Sequence, residues 1–238
     1  TAVHDTRKSM KRIRALLCMV RPALAERVFR HENERYRAIA ELLSGTRDSE
    51  VLLATLAGLQ ARATGSAGKS LATMARRLAG SVHDHGADAT HVREAVARLE
   101  QAEKAMLELP LTDDGYAAAF EGMETVYRKG RKAMADACDH PGDEAYHDWR
   151  KQVQRHWRHM ALLNRAWPAA MEARVVVAKE LSDILGDDHD LSVLLTRIEG
   201  VGSDKVRTVV AGAVRAAQEE PDAIPADRGP RTPGIAVS

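Results

Sequence analysis

Val3-His4-Asp5-Thr6-Arg7-Lys8-Ser9-Met10-Lys11-Arg12 stands near the start of the chain, and Tyr146-His147-Asp148-Trp149-Arg150-Lys151-Gln152-Val153-Gln154-Arg155 repeats its pattern past the middle. Wound as a helix at about 100° per residue, the first stretch gathers His4, Arg7, Lys8, Lys11, Arg12 and Arg14 into one arc. Val3, Met10, Ile13, Leu17 and Val20 fall on the other side. The second stretch divides the same way, with His147, Arg150, Lys151, Arg155 and Arg158 against Trp149, Val153, His156, Met160 and Leu163. Both read as amphipathic helices that bury one face and present a cationic face suited to a polyanion.

Outward from these stretches, no segment of any length alternates with period two, and the breakers fall at helical intervals, which predicts an all-α protein of about ten helices. The first helix runs over about 3–21, and Pro22 opens a second that ends before Ser44-Gly45. A third covers about 47–62 with Asp48 as its cap, and after a 64–68 loop a fourth covers about 69–85. Helices over about 88–109 and 113–138 form an acidic middle. The second motif's helix follows and ends near Trp167-Pro168. Next come a helix over about 169–185, a turn at Gly186-Asp187-Asp188, a short helix over about 189–198 and a last one over about 204–219. The tail from Pro221 holds four prolines and two glycines in 18 residues, a composition that reads as disordered.

The 238 residues are enough for a substantial core, and 45% hydrophobic with 29% charged residues is the balance of a soluble globular protein. No apolar run approaches the roughly 20 residues of a membrane span, and the apolar run Ala15 to Val20 is too short for a secretory core. Cys18 and Cys138 lie far apart in helical patterns, which points to two buried thiols in a reducing, cytoplasmic setting. The formal net charge of +1 conceals a segregation: residues 3–14 carry five basic groups and one acid, and residues 88–124 carry three and nine. One strongly positive surface is therefore compatible with near neutrality. Aromatics at 4% are poor provision for stacking bases, which disfavours single-stranded nucleic acid.

The repetition extends beyond the basic stretches. Leu43-Ser44-Gly45-Thr46-Arg47-Asp48 corresponds to Leu185-Gly186-Asp187-Asp188-His189-Asp190 at an offset of 142, and the two His-Asp-x-Arg-Lys motifs lie 143 apart. Two signatures in the same order with nearly the same shift indicate an internal duplication, with repeats at about 1–110 and 111–220. Such units commonly pack about a pseudo-twofold axis, which would merge the two basic faces.

A helical His-Asp-x-Arg-Lys followed some 40 residues later by Leu-Gly-x-x-(Arg/His)-Asp, all of it repeated, resembles the CHAD family, the conserved histidine α-helical domain, over about residues 1–220. The resemblance implies two pseudo-twofold-related helical bundles, a basic central surface and binding of inorganic polyphosphate, often at polyphosphate granules. Matching positions are His4, Arg7, Lys8, Lys11, Arg12 and Arg14 in the first copy and His147, Arg150, Lys151 and Arg155 in the second, with Arg47 and His189 at the turn. Arg35, Arg128 and Lys132 extend the candidate set. Gln154 and Trp157 stand where basic residues are expected, so the second copy is expected to grip more weakly.

Each signal has a plainer reading. A charge run is most often a solvated helix face, yet duplication of the run with a His in the same place favours binding. Polyphosphate presents charge without base edges, so an array of Lys and Arg holds it without sequence readout. His4 and His147 lie among cations that keep their rings neutral until an anion arrives. Nucleic acid on the same face is the alternative partner. The pairs His4-Asp5, His83-Asp84, His147-Asp148 and His189-Asp190 superficially resemble the metal-dependent HD phosphohydrolases. Arg and Lys at the third and fourth positions after His4 and His147 oppose a metal ion there. The sequence therefore predicts a binding module without catalytic residues, metal or cofactor, and leaves its oligomeric state open.

Overall fold

The computed structural model describes residues 2–44, 47–81, 89–113, 115–199, 201 and 203–219, with the backbone alone for 47–50 and 81. Among the described residues the chain is all-α: α1 (Ala2–Val20), a 3-10 turn (Arg21–Ala23), α2 (Glu26–Leu42), α3 (Arg47–Arg62), α4 (Gly65–Ser81), α5 (Ala89–Leu107), α6 (Tyr116–Asp139), α7 (Asp143–Asn164), α8 (Pro168–Ile198) and α9 (Asp204–Glu219). Two compact units form, one from Thr1–Asp48 with Asp84–His189 and the other from Ser49–His83 with Asp190–Ser238. Each unit draws segments from both proposed repeats. Helices that correspond under the repeat offset pack on one another, α1 on α7 in the first unit and α4 on α9 in the second.

The first unit has a core between α1, α2 and α5, where Met10, Leu17, Phe29, Tyr36, Ile39, Ala95 and Ala102 are buried together. These are the apolar faces that helical spacing predicts. Tyr36 satisfies its hydroxyl by donating to the Ala102 carbonyl at 3.2 Å, so the ring serves the core without an orphaned polar group. α6 packs on both α1 and α7. It comes so close to α1 that a Cβ on Gly122 would stand 1.9 Å from the Met19 carbonyl oxygen. Only a residue without a side chain lets the two backbones meet there. α7 is tied to α1 by His159, which is fully buried and donates from Nε2 to the Ala15 carbonyl at 2.8 Å. The second unit buries Leu52, Leu56, Leu59, Leu71, Met74, Leu78, Leu191, Leu194, Ile198, Val210 and Val214 in one aliphatic core.

Several expectations need correction. Gly186-Asp187-Asp188 is not a turn: α8 runs unbroken through it. The roughly 1 kcal/mol penalty of a helical glycine is outweighed by buried residues on both sides, Ala178, Ser182 and Leu185 before it and Leu191, Leu194 and Ile198 after it. The 64–68 loop is shorter than expected, because Gly65 takes a left-handed φ of 62° and α4 starts at once. Pro22 lies inside the 3-10 turn Arg21–Ala23 and does not open α2, which starts at Glu26. Asp113 precedes α6, where its Oδ1 accepts a hydrogen bond from Gly115 N at 2.7 Å. Cys138 is exposed and Cys18 half-buried, so the thiols are not a buried pair. Trp149, expected on the apolar side of α7, is only half-buried; Trp157 is half-buried too, and the guanidinium of Arg158 and the ammonium of Lys179 lie 5.0 and 5.2 Å from its ring centre. The cap Asp48, the His83-Asp84 pair and the tail from Pro221 lie outside the described side chains and residues.

Candidate anion-binding surface

The apolar sides of α1 and α7 face the core where the two helices pack, which leaves their basic sides outside it. Arg158 of α7 is the clearest sign that those basic sides lie close together. Burial first, and then Arg12, Arg150 and Arg155, lower its pKa to about 10. Arg14 is also held below the usual guanidinium range, first by burial and then by Arg155. Like charges from α1 and α7 are thus close enough to disfavour one another.

The histidines occupy the same neighbourhood. His147 on α7 and His189 on α8 stack with ring centres 4.7 Å apart and planes inclined by 27°. Burial, then Lys151 and Arg150, push His147 below its ordinary value, against the opposing pull of Asp148. His189 is pushed down to about 4 by burial, Arg150, His147 and Lys11, with Asp143 opposing. Both rings are therefore neutral at pH 7 in the ligand-free protein. His147 Nδ1 is buried and has no hydrogen-bond partner among the described residues. Gly186 lies one helical turn from His189, and a Cβ there would be 3.9 Å from the Arg150 guanidinium, so α8 runs beside Arg150.

α2 supplies the remaining side. Arg7 Nη1 donates to the Leu43 carbonyl at 3.1 Å, and Arg14 Nε donates to Asn33 Oδ1 at 3.0 Å. Those anchors fix two guanidinium groups while using one N–H of the five that each carries. Lys8, Lys11 and Arg12 are exposed. Lys151 donates to Asp148 Oδ1 at 2.8 Å, so that carboxylate is already engaged by a cation.

A family model for the CHAD domain matches residues 1–199. The chain belongs to the CHAD family. CHAD domains are associated with polyphosphate binding and are generally binding modules rather than catalysts. Neither a curated protein nor a solved structure matches the chain. No described helix is long and apolar enough to cross a membrane. No group of three or more His, Cys, Asp or Glu side chains among the described residues is placed to hold a metal ion.

In this CHAD domain, Lys11, Arg12, Arg14, His147, Arg150, Lys151, Arg155 and His189 are linked, with Arg158 among them, by electrostatic effects on one another. Arg7 joins Lys11 and Arg14 in lining a recess between α1 and α2. His4 lies half-buried on the same helix, one turn before Arg7 and Lys8. Arg35 stands apart from this group, 3.3 Å from buried Glu32 on the side of α2 that carries Tyr36 towards α5. Arg128 and Lys132 are exposed on α6, with Arg128 3.7 Å from Glu124. Arg47 begins α3, and only its backbone is described. One basic residue beyond the candidate set belongs with the α1 and α7 face, and a second lines only the recess between α1 and α2. Arg158 continues the α7 arc beyond Arg155, so its spacing already marked it, whereas Arg37 lies on α2 among acids and carried no signal of the kind the two motifs give.

Proposed function

We propose that this protein binds inorganic polyphosphate without transforming it, through the face that α1 and α7 share in the first unit and that His189 of α8 borders. The observation that carries this reading is the gathering of cations from α1 and α7 around Arg14, Arg158 and His189, whose pKa values are lowered first by burial and then by those cations. Folding places like charges together against their own repulsion, and a polyanion is the ligand that reverses the sign of that interaction. Charge-assisted hydrogen bonds from fixed guanidinium forks suit phosphate oxygens. Few aromatic side chains stand ready to stack bases, which supports a phosphate chain over single-stranded nucleic acid. The setting that fits is the cytoplasm, at polyphosphate granules.

Titration with long-chain polyphosphate, duplex DNA and RNA at several salt concentrations tests the reading. Polyphosphate is expected to bind tightest, with log affinity falling steeply against log salt because bound cations are released from the polyanion. Equal or tighter binding of DNA would make the face a nucleic-acid interface. Phosphate release that requires added Mn²⁺ or Mg²⁺ would make the protein a hydrolase.

A further inference from the structure

Between α1 and α2 lies a recess of about 270 Å³, lined in part by Arg7, Lys11, Arg14, Arg37, Glu41 and Ser44. Four cations and one carboxylate face it, a surplus of three positive charges. Three of the cations are held in place: Arg7 by the Leu43 carbonyl at 3.1 Å, Arg14 by Asn33 at 3.0 Å and Arg37 by Glu41 at 2.9 Å. Glu41 and then Glu34 hold Arg37 in its charged form. Lys11 connects this recess to the histidine face, since its charge also reaches His189.

We propose that the recess is an end-group site: it seats the terminal phosphate of a phosphate chain or a free pyrophosphate, while the α1 and α7 face carries the interior of the chain. The part concerning the chain rests on the polyphosphate reading above. An interior phosphate has two non-bridging oxygens and one negative charge. A terminal phosphate has three such oxygens and approaches two charges near neutral pH. A concave site with three positive charges in excess and convergent N–H donors favours the terminal group on both counts. Glu41 competes for Arg37, so an incoming phosphate must displace its carboxylate from a 2.9 Å hydrogen bond.

Calorimetric titration of the full chain with sodium tripolyphosphate and with long-chain polyphosphate tests this, with circular dichroism confirming the fold of each variant. Arg37→Gln is expected to weaken tripolyphosphate about tenfold, the weight of one charge-assisted hydrogen bond. The same variant should leave long-chain affinity within about threefold, because ends are a small share of a multivalent contact. Glu41→Gln should tighten tripolyphosphate by about threefold, as expected for removing a surface ion-pair competitor. Displacement of tripolyphosphate by pyrophosphate supports the free ion as an occupant, and tripolyphosphate binding that pyrophosphate does not disturb supports the chain end. No effect of either variant on tripolyphosphate overturns the proposal, as does Arg37→Gln weakening short and long chains alike. A wild type that binds long chains and not tripolyphosphate overturns the recess alone. Binding of tripolyphosphate without long chains overturns the polyphosphate reading and leaves the recess standing.

Discussion

The imidazole rings of His147 and His189 stack at 4.7 Å between helices α7 and α8, and burial, reinforced by the cations around them, holds both rings neutral at pH 7. A polyanion bound beside them would favour the protonated rings. By linkage, a proton that binds more tightly in the complex strengthens the complex. Affinity for polyphosphate is therefore expected to rise as pH falls from the ordinary histidine value of about 6.5 toward about 4, the free value of His189. Titrations at constant ionic strength check this, and His147→Gln with His189→Gln should flatten the profile. A wild-type profile that is already flat would take the two rings out of the site.

Repulsion among Arg12, Arg150, Arg155 and Arg158 opposes folding and favours anion binding, so the two properties should trade against each other. Arg12 is exposed, and Arg12→Gln is expected to gain on the order of 0.5 kcal/mol of stability at low salt while weakening polyphosphate. Denaturant unfolding and polyphosphate titration on the same variant measure both sides. A variant that loses stability would show that Arg12 supports the fold.

If both basic arcs contribute, neutralising either should matter. Lys8→Gln with Arg12→Gln on α1, and Lys151→Gln with Arg155→Gln on α7, are each expected to cost about tenfold or more in affinity with helicity retained. An effect confined to the first pair would mean that α7 only frames the site.

His159 sets a separate limit at low pH. Burial is the main cause that brings its pKa down to about 4, opposed by the hydrogen bond to Ala15 and aided by the smaller effects of His156 and Arg155. The unfolded chain takes up a proton near pH 6.5 that the folded chain refuses until about pH 4, so stability falls as pH drops through that window. At about 1.4 kcal/mol per pKa unit the loss is on the order of 3 kcal/mol. Unfolding at pH 7 and pH 4.5 should reveal this slope. His159→Gln should lower the baseline and shrink the slope, and an unchanged slope would assign the acid sensitivity elsewhere.

The two basic arcs were legible in the sequence because charge and apolar spacing on α1 and α7 recur at a helical period. The all-α class and most helix limits followed from the same spacing and from proline and glycine positions. The continuity of α8 was not legible, since Gly186-Asp187-Asp188 has the local chemistry of a turn and only burial of Leu185, Leu191 and Leu194 on either side keeps it helical. Arg37 was hidden for a different reason. Its neighbours in sequence, Glu34 and Glu41, make it look like one half of a surface ion pair, and only the packing of α2 on α1 brings it beside Arg7 and Arg14.

Gly122→Ala tests the seat of α6. The new methyl would overlap backbone atoms, the Met19 carbonyl at 1.9 Å and that of Cys18 at 2.9 Å, which no rotamer change relieves. A loss of about 3 kcal/mol or more is expected in unfolding experiments, and a neutral result would mean that the helices part easily.

The same contact carries an evolutionary consequence. Position 122 is closed to every side chain for as long as α1 and α6 keep this separation, so descendants of this sequence should vary freely at exposed Glu121 and keep glycine at its neighbour. A lineage that does acquire alanine there will have to open the α1–α6 seam by second changes, and the spacing of the α1 cations from those of α7 would drift with it. Ancestral reconstruction across such a branch would find a change in anion preference without any substitution among the basic residues themselves.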